Sequence, residues 1–322
     1  MVLDWTDFDA RMAEAASIGV SVCYMLWLTP SWASIAGDQV GGSNTVLGPW
    51  GVAGESAVPS NMQYLTDITT KILQRAALTP SVRFILEFWN EPEFYDATAL
   101  ANYISGGGKP FFTGTAAQMV KMCNAVYNAA KAFNPSIPVL MPSQYDITRF
   151  NTFLSAQDPT SGKYGYQVFD WVNLHPYTST PNRFYAGSGD LYNLGGSRIG
   201  VAAANRALAA LGQSPKPVAV TEWGLDTSAS SLYVTNFNAL SSAEKKQYIQ
   251  RTLAMAALDG VKLFVIFSNS TLAGDYVGDT TGVIAAVTDV HQKLAGKTIT
   301  DGGCDTSTGA VTVVANGTTY SF

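Results

Sequence analysis

The sequence predicts an α/β protein with a parallel sheet. Short apolar runs bounded by turn residues recur along the chain, and helix-like segments lie between them. Polar residues able to do chemistry fall at the ends of several different runs, a distribution that favours a (β/α)8 barrel over an open sheet.

The strand-like runs are Val20–Leu28 (VSVCYMLWL), Arg83–Trp89 (RFILEFW), Pro138–Met141, Trp171–His175 (WVNLH), Val218–Thr221 and Lys262–Phe267 (KLFVIF). Between them, Ser60 with Gln63, Thr115 with Gln118 and Ser241 with Glu244 have the spacing of capping boxes, in which a hydroxyl and a later side chain satisfy each other's free backbone donors. The segments after these boxes, QYLTDITTKILQRAAL, QMVKMCNAVYNAAKAF and EKKQYIQRTLAMAAL, carry apolar residues at helical spacing. At the carboxyl end, two β-like runs flank Asn316-Gly317, a strong hairpin signal.

Composition removes several function classes. The chain has 322 residues, 13% of them charged, a net charge of −5 and no basic run, so neither nucleic acid nor an anionic membrane surface is an expected partner. No apolar run is long enough for a membrane span, and the first residues, MVLDWTDF, lack the regions of a signal peptide. Cys23, Cys123 and Cys304 are too scattered for a disulfide framework or a zinc site, and no metal or cofactor is called for. The stretch GGGKP at 106–110 has Pro110 where a phosphate loop needs Ser or Thr, and no GxSxG elbow is present. Seven Trp and fifteen Tyr fit a protein that stacks rings on sugars.

Two runs end in a glutamate with an aromatic neighbour, Glu91 in EFWNEPEFY and Glu222 in VAVTEWG. In a parallel barrel both would face the same mouth. Two such carboxylates, one protonated and one ionised, are the equipment of retaining glycoside hydrolysis. A lone glutamate at a strand end more often caps a helix or joins an ion pair; the paired placement and the Asn-Glu-Pro corner argue otherwise. Period-two alternation puts Glu87, Trp89 and Glu91 on one side of their strand, with Glu87 a buried polar residue in want of a partner. Glu93 reads as a loop residue, Trp171 as core at the opposite end of the barrel, and His291 as a helix-surface residue.

The segments FWNEP and VTEWG resemble the acid/base and nucleophile motifs of clan A glycoside hydrolases. DWTDFDARMAEAASIGVSVCYMLWLTPSWAS looks like the helix-two and strand-three region of glycoside hydrolase family 39 and related endo-glycosidases, and NLHPYT is similar to the clan's His-x-Tyr. The likeness covers about residues 3 to 295. It implies Glu91 as general acid/base, Glu222 as nucleophile and Asn90 as partner of the sugar's 2-hydroxyl. His175 and Tyr177 would line the mouth, Trp32, Trp50 and Trp223 would stack on sugar, and Phe267 would stand where the clan has a tryptophan. It further implies a poly- or oligosaccharide substrate and a place outside the cytoplasm, secreted or periplasmic; oligomeric state is left open.

Against the clan's pattern, only one strand precedes that of Glu91, and the arginine that strand two supplies has no counterpart here. The expectation is a barrel over residues 1–296 without its first two strands, then the beginning of an accessory β-strand domain over 297–322. Two functions therefore stand: a retaining β-glycosidase, or a carbohydrate-binding remnant that cannot turn over.

Overall fold

A computed structural model describes residues 3–34, 46–176, 200–223, 241–266, 280–305 and 310–322. It is mixed α/β, in two compact units: Met1–Gln144 with Thr148–Val172, and Tyr145–Ile147 with Asn173–Phe322.

In the first unit, β1 (Val22–Leu26), β2 (Phe84–Phe88) and β3 (Val139–Leu140) form a parallel sheet in that order, and Leu140 bridges onward to Trp171. β2 is buried at every residue because it is flanked on both sides, whereas β1, at the sheet edge, is only half-buried. Around the sheet lie α1 (Thr6–Ile18), α2 (Gln63–Ala76), α3 (Ala97–Ser105), α4 (Ala116–Phe133) and α5 (Ile147–Ser155), the last crossing the division between units.

The Thr115–Gln118 box forms as expected: the Gln118 N–H donates to the Thr115 hydroxyl at 3.2 Å and the Thr115 N–H to Gln118 Oε1 at 2.8 Å. The Ser60–Gln63 box does not form. Asn61 is nearer in sequence to the free donor, and its Oδ1 takes the Gln63 N–H at 2.9 Å. Trp171 departs from the core reading in being half-buried, with the Arg83 guanidinium 5.5 Å over its ring.

The second unit holds β4 (Val172–Leu174, its first residue counted in the first unit), β5 (Val218–Trp223) and β6 (Leu263–Ile266), again in consecutive order, with β5 and β6 parallel. Its further helices are α6 (Val201–Ala210), α7 (Ser242–Leu258) and α8 (Thr280–Leu294), and His291 is exposed on α8 as expected. The carboxyl-terminal segment forms an antiparallel sheet, β7 (Ile299–Cys304), β8 (Val311–Ala315) and β9 (Thr318–Ser321), which packs on α7. Its hairpin turns at Asn316-Gly317, where φ is +49° and +76°, the left-handed pair that a two-residue type I′ loop requires. No helix among the described residues is long and apolar enough to cross a membrane.

Candidate functional site

The predicted residues fall at places where strand regularity breaks. β2 ends at Phe88, and the next residues take positive φ at Trp89 (+68°) and Glu91 (+39°). Non-glycine residues there are strained, and such strain persists only where the surroundings impose it. The imposing contacts come from segments distant in sequence. The Trp89 N–H donates to the Leu26 carbonyl at 3.0 Å and its indole Nε1 to the Phe111 carbonyl at 3.0 Å, while the Glu91 N–H donates to Ser143 Oγ at 3.1 Å. The period-two placement of Trp89 and Glu91 on one strand face is thereby overturned, because the left-handed residues rotate the chain out of the pleat. Ser143, itself fully buried, donates to Asn90 Oδ1 at 3.3 Å. That bond fixes the Asn90 carboxamide with its NH2 as the remaining donor, next in sequence to Glu91.

Glu87 is buried as expected, and one partner the sequence left unnamed is Cys23, whose thiol donates to Glu87 Oε2 at 3.8 Å. Burial first, and the neighbouring carboxylate second, hold that thiol protonated, well above its ordinary range.

Glu93 is not a plain loop residue. It is 4% exposed, and its Oε2 accepts the N–H groups of Phe111 at 2.8 Å and Phe112 at 3.3 Å. Burial pushes its pKa up to about 7, against the pull of Arg149 and of those backbone donors. Arg149 lies 5.8 Å over the Tyr95 ring, and Tyr95 stacks on Tyr103 at 5.3 Å. Sequence reasoning missed this role because the partners lie 18 and 19 residues downstream; a carboxylate two residues from a strand-end glutamate was the only signal.

In the second unit, Glu222 sits in a one-residue β-bulge. Val220 pairs with Phe264 but Trp223 with Ile266, so three steps on β5 match two on β6. A bulge re-aims a side chain that strict alternation would misplace, and here it falls on Thr221 and Glu222. The Glu222 carboxylate lies 3.6 Å from His175 Nδ1. The other ring nitrogen, Nε2, lies 3.0 Å from the Thr221 hydroxyl, which donates to Asn173 Oδ1 at 2.8 Å. Because that hydroxyl uses its proton on Asn173, it accepts from Nε2–H, which leaves Nδ1 as the ring nitrogen facing Glu222.

The other predicted residues divide. Trp50 is 71% exposed and Trp32 59%. Trp32 lies edge-on to Tyr64 and lines an apolar groove of about 500 Å³ bounded by α1, β1 and α2. Trp223, expected as a stacking surface, is instead fully buried, its ring 5.7 Å from that of Phe264, because the bulge that turns Glu222 outward turns the next side chain into the core. Tyr177 and Phe267 lie outside the described residues.

The fold is shared with (β/α)8-barrel glycoside hydrolases. A glucosidase from Croceicoccus marinus matches 96% of this chain over 58% of its own, at 13% identity and a TM-score of 0.59. A family 44 endoglucanase from Clostridium thermocellum matches 97% of this chain over 66% of its own, at 12% identity and 0.53. A family 39 β-xylosidase from Caulobacter crescentus matches 83% over 50%, at 17% identity and 0.50. At such identities the likeness is one of fold, and the chain spans between half and two-thirds of the length of these structures. No family model matches the sequence, and no curated protein does.

Proposed function

We propose that the chain is a retaining β-glycosidase in which Glu222 attacks the anomeric carbon and Glu91 serves as acid and then base. One observation carries the reading: each glutamate lies where a parallel strand abandons its regular geometry, Glu91 itself left-handed two residues after the left-handed Trp89, and Glu222 in a bulge beside His175. Strain and bulges of this kind are kept where a side chain must be aimed. The barrel fold supports the reading, since its chemistry is done at the carboxyl ends of the strands.

In the first step Glu91 gives its proton to the glycosidic oxygen as that bond breaks, and a Glu222 oxygen forms an ester with the anomeric carbon. The sugar so displaced leaves as an alcohol. In the second step Glu91, now ionised, takes a proton from water, whose oxygen attacks the anomeric carbon and releases Glu222. A second proton on His175, at Nδ1, would favour the ionised form of Glu222 that a nucleophile needs. The Asn90 NH2, oriented by Ser143, is suited to donate to the sugar's 2-hydroxyl, a bond that strengthens in the transition state. The substrate is a β-linked oligo- or polysaccharide met outside the cytoplasm.

Release of nitrophenol from a panel of nitrophenyl β-glycosides tests the reading, with Glu222→Ala as control: activity by the wild-type chain that the variant lacks is the expected outcome. One observation favours the carbohydrate-binding alternative. β1 lies at the edge of its sheet and is only half-buried, beside the apolar groove. Sugar binding without turnover by the wild-type chain would select that alternative.

A further inference from the structure

Three aromatic rings of the first unit stand together on segments tied down by side chains that the proposed chemistry does not use. The Trp27 ring, just past β1, lies 5.7 Å from Phe111 and 6.1 Å from Trp50, at interplanar angles of 66° and 65°. Trp50 is exposed, and Trp27 and Phe111 are half-buried.

Two of the three rings are held from behind. Glu55, 5% exposed, accepts the N–H of Trp50 at 2.7 Å and that of Val52 at 3.3 Å. Phe111 is gripped on both sides of its peptide, its N–H by Glu93 and its carbonyl by the Trp89 indole. The neighbouring Pro110 carbonyl takes the Ser56 hydroxyl at 2.5 Å, and the Thr113 N–H donates to the Ser56 carbonyl at 2.9 Å. Burying two carboxylates costs free energy, and here both serve loops that bear rings still partly open to solvent, Trp50 exposed and Phe111 half-buried. Surface rings gain nothing from being fixed unless something binds them, and fixing them beforehand lowers the entropy cost of binding.

We propose that Trp27, Trp50 and Phe111 form a saccharide subsite for the apolar face of a pyranose ring beyond the bond being cut, with Glu93 the positioning residue that keeps Phe111 in it. The ligand class follows from the surface. A pyranose offers a flat CH face to a ring and keeps its hydroxyls at the rim, in reach of water. Trp89 and Glu93 flank Glu91 in sequence, so the grip on Phe111 and the strained corner are built from one segment, 89–93. The proposal deepens the glycosidase reading and rests on it.

The test compares substrates with and without a second sugar. β-D-Xylosyl and β-D-glucosyl fluoride carry one pyranose and a leaving group with no ring; xylotetraose and cellotetraose extend past the cleaved bond. Phe111→Ala should lower the ratio of tetrasaccharide to fluoride kcat/KM by about tenfold, through KM, and Phe111→Tyr should restore it. Glu93→Gln should shift the ratio in the same direction. A ratio unchanged in Phe111→Ala, or one that Phe111→Tyr fails to restore, overturns the subsite. If neither the fluorides nor the tetrasaccharides are cleaved, the glycosidase reading fails by itself, and tetrasaccharide binding followed by tryptophan fluorescence decides the subsite. There, binding by the wild type about tenfold tighter than by Phe111→Ala supports it, and equal binding by the two, or none by either, overturns it.

Discussion

Replacing Glu93 by glutamine should change how the stability of the first unit depends on pH. In the folded chain this carboxyl binds its proton with a pKa of about 7, against an ordinary 4.5. The folded state therefore holds more protons than the unfolded state between those values. Stability must fall as pH rises through that window, and level off on either side. The full gap corresponds to at most about 3 kcal/mol, at 1.36 kcal/mol per tenfold change in proton affinity. Glutamine keeps an oxygen that can accept from Phe111 or Phe112 and cannot titrate. Urea unfolding at pH 4.5, 5.5, 6.5 and 7.5 reads the difference between the two proteins, so that other titrating groups cancel. Tryptophan fluorescence is the natural signal, because Trp5, Trp27, Trp32, Trp50, Trp89 and Trp171 lie in the first unit and only Trp223 in the second. The wild type should lose ground to Glu93→Gln steadily from pH 4.5 to 7.5. A difference flat in pH, or one that grows in the wild type's favour, would refute the assignment of a raised, buried carboxyl.

Glu91→Ala should cost a natural glycoside far more than a dinitrophenyl one, whose leaving group departs without a proton, and added azide should speed its turnover. His175→Ala should lower kcat by about a hundredfold, the order seen when one hydrogen-bonding group is removed from a reacting centre, with its fold intact by circular dichroism. Thr115→Ala removes the cap of α4 and should destabilise the first unit by about 1 kcal/mol in urea unfolding without altering substrate selectivity. In a crystal structure, the Glu91 and Glu222 carboxyl groups should lie about 5 to 5.5 Å apart, whereas a separation of about 9 Å would mean inversion.

The parallel strands were legible because each is a short apolar run that ends at a turn. Helix α4 was legible in its cap as well as its face. Other features depend on groups distant in sequence or on competition between near neighbours. Asn61 displaced Ser60 as the partner of the Gln63 N–H, a choice between adjacent side chains that spacing rules do not resolve. The break in β2 at Trp89 follows from contacts with Leu26 and Phe111, neither of them near it in sequence. The same is true of Glu93, whose polar partners lie on the 110–113 loop, and of Cys23, which answers the need of Glu87 from the neighbouring strand. Trp223 looked like a surface ring because it follows Glu222 at the end of a strand; the bulge that lets Glu222 face His175 reverses it. Glu91 and Glu222 themselves could be read from strand ends and motifs, but their aiming devices could not.

The most direct test of the central claim is to find the bond it requires. A retaining mechanism passes through an ester between the sugar and one carboxylate, and Glu91→Ala, incubated with a dinitrophenyl β-glycoside, should accumulate it. Peptide mass spectrometry of the quenched protein should then show one sugar residue added to the peptide carrying Glu222. Turnover of the glycoside by the wild type with no such adduct in the variant, or an adduct on any residue other than Glu222, would contradict the assignment of the nucleophile.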